Sequence, residues 1–318
     1  MVELSTISLL HHGKCQDVYL SQDSKGNMYA VKRLYRKELE KRKHYTNVDG
    51  CLTLQDWFDD FCKAVKVQLM VQHDRCVKCI DTNGFDPAKL EKNDLSEELE
   101  MVLEYCECGS IMKLESNSTH IPSLPVEVIK CIAKDTLLAL EYLSNINVAH
   151  CDIKPDNVFM DKNGRCKLGD FSHSLQMDSE GKVKGVKGSF YFMAPEMASG
   201  SPGWKQNDRR ISESGPYKGA SIDMWALGVS LWMLYFQRYP FKTLSTAVIQ
   251  LMYEISNFDI EEQLEELQAD GLHIEADFED FIRSILCMYP SDRSTASVAL
   301  VCYNGYHDKL HTAPSVAV

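Results

Sequence analysis

The chain has 318 residues, of which 44% are hydrophobic and 25% charged, with a net charge of −12. This length suits a domain of two lobes better than one small core, and the acidic balance argues against a nucleic-acid-binding surface. The sequence shows no apolar run long enough to span a membrane, no charged-then-apolar leader, and no glycine after Met1 for N-myristoylation, so no membrane partner and a cytoplasmic protein are expected.

Residues 6–35 alternate and carry β-branched and aromatic side chains around the turn Asp23-Ser24-Lys25-Gly26-Asn27, which predicts three antiparallel strands. Residues 32–44, dense in Lys and Arg, read as a solvated helical face, with a docking patch as the weaker option. Residues 45–53 then interrupt the run, and a helix is expected over about 54–72. A polar, acidic loop at 83–99 separates two further strands, the second running through Val102–Cys106. The spacing of Val128, Ile129, Ile132, Leu137, Leu140 and Leu143 marks an amphipathic helix that leads to His150. Residues 200–219, rich in Gly, Ser and charge, predict an exposed loop. Leu227, Val229, Leu231, Trp232, Leu234 and Tyr235 make the next helix apolar nearly all round, as a buried helix must be. A short tail from about 306 is expected to be disordered at its end. The twelve cysteines are scattered through predicted helices and strands, which fits reduced thiols. Cys76 and Cys79 have zinc-ligand spacing, but no second pair follows at finger distance, so no zinc is expected there.

The chemistry concentrates in His150-Cys151-Asp152-Ile153-Lys154-Pro155-Asp156-Asn157 and, shortly after it, Asp170-Phe171-Ser172. Upstream, Tyr29-Ala30-Val31-Lys32 reads as a strand ending in lysine. Downstream stand Ala194-Pro195-Glu196, Asp223-Met224-Trp225-Ala226-Leu227-Gly228 and Arg293. In order and spacing these resemble the motifs of eukaryotic protein kinases, H-R-D-x-K-x-x-N, D-F-G, V-A-I-K, A-P-E and D-x-W-x-x-G. The resemblance runs from about Leu10 to Arg293. It implies an α+β, two-lobed fold. A small antiparallel β-sheet plus one helix would form an ATP-binding N-lobe over 1–105, and a larger, mainly α-helical C-lobe over 106–305 would carry catalysis and substrate binding, before a tail at 306–318.

Phosphoryl transfer from ATP asks for positioning and charge neutralisation. The resemblance makes Asp152 the base that accepts or orients the proton of the attacking hydroxyl. Lys154 would neutralise the transferring group and points to the serine/threonine branch. Asn157 and Asp170 would hold magnesium, which prefers oxygen ligands, and Lys32 would hold the α- and β-phosphates. The nucleotide would lie against Leu10, Gly13, Val18, Ala30, the gatekeeper Leu103, the backbones of Glu104 and Cys106, and Phe159. Glu196 and Arg293 would form a buried ion pair. ATP, Mg2+ and a protein substrate are thus the implied cofactors and partner.

The pattern is broken in four places. Only Gly13 remains of the glycine-rich loop that should fall on residues 11–18, so a stiffer loop with a weaker hold on phosphate is expected. Ala64 stands where the family has the helix glutamate that pairs with the lysine; Asp60, one turn earlier on the same face, could reach the lysine if the helix slid or rotated, but reads as a solvated helix residue. Cys151 replaces the arginine that receives an activation-segment phosphate, and over 173–187 the hydroxyls are Ser174 and Ser179. Ser172 replaces the glycine of D-F-G. These departures keep a pseudokinase, a nucleotide-binding scaffold or allosteric partner, as the alternative to an active enzyme. The insertion after Lys32, Gly109–Leu114 and Gly188–Glu196 are similar to the calcium/calmodulin-dependent protein kinase kinases. No basic amphipathic helix of the kind calmodulin binds follows the kinase-like region, so calmodulin binding is not expected.

Overall fold

The computed structural model describes residues 3–13, 16–41, 43–48, 51–86, 96, 98–112, 121–184, 188–199, 216–243 and 248–307; within 39–61, and for 199 and 303–307, it describes the backbone alone. The alternating N-terminal segments form β1 (Leu4–His12), β2 (Gln16–Asp23) and β3 (Met28–Tyr35). Asp23 closes the β2–β3 turn, its carboxylate accepting the N–H groups of Lys25 at 2.9 Å and Asn27 at 2.8 Å. Next come α1 (Arg36–Lys41), β4 (Lys43–Val48), β5 (Cys51–Asp56), α2 (Trp57–Met70), β6 (Cys79–Asn83) and β7 (Glu98–Glu104). The main sheet is five-stranded and antiparallel, in the order β1-β2-β3-β7-β6. Its register sets Val18 opposite Lys32 and Ala30 opposite Leu103.

The insertion after Lys32 differs from the sequence expectation. Residues 45–53 do not merely interrupt the chain: β4 and β5 pair as an antiparallel hairpin, and α2 begins at Trp57 rather than near 54. Leu52, Thr53 and Leu54 alternate against Tyr45, Thr46 and Asn47, which favours pairing over an early helical turn. The N-terminal region therefore carries α1 and this hairpin besides the one expected helix. α2 buries Ala64, Val65 and Val67, and Val65 joins Leu34, Cys79, Phe85, Leu99 and Met101 in a small core.

The larger lobe follows with β8 (Gly109–Ser110), α3 (Val126–Asn145), β9 (Val148–Ala149), β10 (Val158–Met160), β11 (Cys166–Leu168), β12 (Leu175–Gln176) and β13 (Lys182–Val183). Then come α4 (Pro195–Ser199), β14 (Tyr217–Lys218), α5 (Gly219–Phe236), α6 (Val248–Ser256), α7 (Ile260–Ala269), α8 (Ala276–Ile285) and α9 (Ala296–His307). α5 is buried along nearly its whole length, with Trp225 and Trp232 inside, and α3, α8 and α9 complete the core around it. The architecture is thus an antiparallel sheet region followed by a helical one. The expected loop at 200–219 falls outside the described residues up to 215; from Tyr217 the chain is strand and then helix. No helix among the described residues is long and apolar enough to cross a membrane.

Short ladders hold the segment between Asp170 and α4. β12 pairs with β9, and β13 with β14. At its far end Arg293, with no exposed side-chain surface, donates to both oxygens of Glu196 at 2.9 and 3.1 Å. Arg293 also donates to the carbonyls of Cys287 and Ser221 and lies 5.2 Å from the Trp225 ring. Arg293→Ala strands a carboxylate and two part-buried carbonyls, so a loss of about 3–5 kcal/mol is expected in urea unfolding. A loss under about 1 kcal/mol would show that the pair is solvated and weak.

Candidate active site

The loop after β9 takes its shape from α5. Asp223, buried on α5, accepts the N–H of His150 at 2.7 Å and of Cys151 at 2.8 Å. Burial pushes the Asp223 carboxyl up, to about 7, against those two donors. They hold Cys151 in the left-handed region at φ 65, with its side chain buried and its thiol against the Leu175 backbone. The His150 ring packs edge-on against Phe171, centroids 5.0 Å apart, and donates from Nε2 to the Gly169 carbonyl at 3.0 Å. Its Nδ1 accepts the Asp152 N–H at 3.3 Å, so the ring is the neutral Nε2–H tautomer.

Asp152 is 5% exposed, and both its carboxylate oxygens are engaged. Oδ2 receives Lys154 Nζ and Asn157 Nδ2, both at 2.9 Å, and Oδ1 receives the N–H and the hydroxyl of Ser189, both at 3.1 Å. Burial raises its pKa, but the Lys154 ammonium and hydrogen bond outweigh that and leave the carboxyl below its ordinary value. Lys154 Nζ also meets the Ser189 hydroxyl at 2.9 Å. A carboxylate, an ammonium and a serine hydroxyl thus share one point. Gly188 permits this approach, because a Cβ there would sit 2.7 Å from the Cys151 carbonyl oxygen.

Asn157 and Asp170 come together because the Gly169 N–H donates to the Asn157 carbonyl at 2.9 Å. The Asn157 amide N–H groups face the Asp152 carbonyl and carboxylate, which turns its Oδ1 the other way. Asp170, left-handed at φ 54, meets Lys32 Nζ at 2.8 Å. Burial raises the Asp170 pKa, yet the Lys32 charge and hydrogen bond hold the carboxyl well below the usual carboxylate range. An amide oxygen beside an ionised carboxylate fits magnesium, which takes one or two protein oxygens and fills its shell with phosphate and water. Among the described residues no group of three His, Cys, Asp or Glu forms a denser metal site, and burial pushes the Cys76 and Cys79 thiols up to about 12 and about 11. Ala64 is buried on α2, so Lys32 receives no carboxylate from that position; the Asp60 side chain lies outside the described residues.

The other predicted nucleotide contacts distribute as follows. Val18, Ala30 and Leu103 lie near Lys32 in the sheet register, and Leu10 falls in a bulge of β1 between Leu9 and His11. Gly13 closes the β1–β2 turn through its N–H on the Gln16 carbonyl, 2.9 Å. The Phe159 ring abuts Gly169 from β10. Cys106 is buried and its carbonyl accepts the Gly109 N–H, while the Glu104 carboxylate turns to Lys167 at 2.6 Å. Three contacts escape sequence reasoning: Asp223 with the His150 turn, Ser189 with Asp152, and Lys167 with Glu104. The first two residues belong to recognised motifs, but their partners are distant in the chain. Ser174 needs a correction as an activation-segment hydroxyl. It is 1% exposed and donates to the His150 carbonyl at 3.1 Å, whereas Ser179 is exposed.

A family model described as "Protein kinase domain" matches residues 4–302. The chain is similar to a probable serine/threonine-protein kinase of Dictyostelium discoideum, 31% identical over 64% of this chain and 25% of that protein. It is also similar to the serine/threonine-protein kinase ppk34 of Schizosaccharomyces pombe, 26% identical over 74% of this chain and 66% of that one. SNF1-activating kinase 1 of Saccharomyces cerevisiae matches at 26% over 91% of this chain and 26% of its own length. The chain therefore spans from a quarter to about two thirds of these curated relatives.

The neutral His150 ring has a measurable consequence. Burial lowers its pKa from 6.5 to about 4, so the unfolded chain binds a proton that the folded chain refuses. Its contribution is fully present above pH 6.5 and is lost as pH falls toward 4, by about 3 kcal/mol. Asp223 acts in the opposite sense between 3.8 and about 7, but it is common to wild type and variant. The unfolding free energy of wild type minus that of His150→Phe should therefore fall on acidification across this window. Parallel pH curves for the two proteins would contradict a neutral buried His150.

Proposed function

The chain belongs to the protein kinase family, and from that premise we propose that it transfers the γ-phosphoryl group of magnesium-ATP to serine or threonine hydroxyls of protein substrates. The observation that carries this reading is the Ser189 hydroxyl, 3.1 Å from Asp152 Oδ1 and 2.9 Å from Lys154 Nζ. A substrate hydroxyl brought to the same carboxylate would donate its proton toward Asp152 while Lys154 meets the charge on the incoming phosphoryl group. Lys32 would turn from Asp170 toward the α- and β-phosphates. Asn157 and Asp170 would hold magnesium, whose contribution is to neutralise the phosphate oxygens. Residues 1–105 would act as the nucleotide lobe, 106–305 as the catalytic and substrate lobe, and 306–318 as a tail. Free thiols among the described cysteines support a reducing, cytoplasmic setting. The segment inserted after Lys32 and the Gly188–Glu196 run support kinship with the calcium/calmodulin-dependent protein kinase kinases.

Ala64 favours a second reading, a nucleotide-binding pseudokinase, because Lys32 gets no carboxylate from that position on α2. Labelled-ATP transfer to a generic protein acceptor separates the two. Asp152→Asn should lower the rate by about 10²- to 10⁴-fold, with phosphoserine and phosphothreonine as products. Equal background counts from wild type and variant would leave the scaffold reading standing, and phosphotyrosine as the main product would refute the acceptor class.

Ala64→Glu should raise the rate severalfold by anchoring Lys32 on the phosphates. An inert Ala64→Glu, together with an Asp60→Ala loss matching that of Lys32→Ala, would assign the partner role to Asp60 instead.

A further inference from the structure

Asp17 is a buried carboxylate with no part in the chemistry above. It lies on β2 beside Val18, and its register partner is Arg33, whereas Val18 is paired with Lys32. Strand alternation therefore turns Asp17 to the face opposite Lys32, away from the cleft. It is 6% exposed, yet four donors converge on it. His12 Nδ1 lies 2.7 Å and the Gly13 N–H nitrogen 3.4 Å from Oδ1, while the hydroxyls of Tyr35 and Tyr19 lie 2.8 and 3.2 Å from Oδ2. Since a carboxylate only accepts, His12 Nδ1 carries the hydrogen. The Tyr35 hydroxyl bond is the largest influence on Asp17 and holds its carboxyl below the ordinary range.

These donors are not neighbours by accident of one strand. His12 ends β1, Gly13 opens the turn, Tyr19 is on β2 and Tyr35 ends β3. The Gly13 N–H is shared with the Gln16 carbonyl at 2.9 Å, which closes the same turn. One charged group thus joins both arms of the β1–β2 turn to the third strand. Hydrogen bonds to an ionised acceptor are the stronger kind. Two oxygens serving four donors also cannot be copied by an amide, which would offer one oxygen and place an NH2 against the remaining donors.

We infer that Asp17 is a positioning residue for the nucleotide, holding the β1–β2 turn in place over the phosphates in a chain that keeps only Gly13 of the family's three loop glycines. The inference rests on the ATP-binding reading above. A turn held in its bound shape loses less entropy on binding, so the gain falls on nucleotide affinity and not on the chemical step. Arg33 stacks at 4.8 Å on the Tyr19 ring and pairs with Glu100, which keeps the outer face of the sheet in register beneath the carboxylate.

The test is phosphotransfer by the full chain to a generic protein acceptor, with magnesium-ATP varied, for wild type, Asp17→Asn and Tyr35→Phe. Asp17→Asn should raise KM for ATP about tenfold while kcat stays within about twofold. Tyr35→Phe removes one donor of four and should raise KM by a smaller factor, and it keeps the inference testable if the first variant does not fold. A lower kcat at unchanged KM, the mark of lost folded enzyme, or unchanged KM in both variants would overturn the positioning role. A wild type that neither binds nor uses ATP would overturn the kinase reading itself, and this inference with it.

Discussion

Asp223 accepts two backbone N–H groups from inside the large lobe, and the geometry of the reacting groups descends from those two bonds. The carboxylate is rigid because α5 is buried on nearly every side. It fixes the turn at His150 and Cys151, where a non-glycine residue sits at φ 65, a conformation that costs about 1–3 kcal/mol unless its surroundings impose it. From that turn the chain delivers Asp152 to Lys154, Asn157 and Ser189. It also aims the His150 ring at the Gly169 carbonyl, one residue before Asp170. The left-handed Asp170 is then held by Lys32 from across the cleft. The strain at Cys151 is thus balanced by hydrogen bonds from the buried helix, and that at Asp170 by its pairing with Lys32.

Short backbone ladders and an ion pair hold the described parts of the segment between Asp170 and α4. Cys151 is buried where the family carries an arginine, and Ser174 is locked beneath the His150 carbonyl. In their place the β12–β9 and β13–β14 ladders hold the backbone from one end and the Glu196–Arg293 pair from the other. The Gly219 N–H on the Gly181 carbonyl, at 3.0 Å, joins this segment to the start of α5. The helix that anchors the reacting loop therefore also anchors the segment carrying Ser189.

What the sequence made legible follows from how narrowly each position is constrained. Strand alternation in 6–35 and the all-round apolar helix at α5 are local patterns, and both appear as read. The motif residues Asp152, Asn157 and Asp170 could be picked out because their order and spacing resemble the motifs of protein kinases. The β4–β5 hairpin was hidden by the Lys/Arg density before it, although Asp49-Gly50 between its strands is a favoured hairpin dipeptide. Contacts between distant residues were not legible. Nothing near Asp17 in the chain announces Tyr35, and nothing near Lys167 announces Glu104. The missing glutamate at Ala64 was readable as an absence, but the pairing of Lys32 with Asp170 emerged only from the fold.

On the proposed function, Lys32, Asn157 and Asp170 form a magnesium-dependent nucleotide site despite the eroded glycine loop and the alanine on α2. Titration calorimetry of ATP into the full chain, with and without magnesium, tests it most directly. Saturable binding is expected, weakening markedly when magnesium is withdrawn and falling to the magnesium-free level in Asp170→Ala. Absence of binding at millimolar ATP, or binding that neither magnesium nor Asp170→Ala alters, would contradict it.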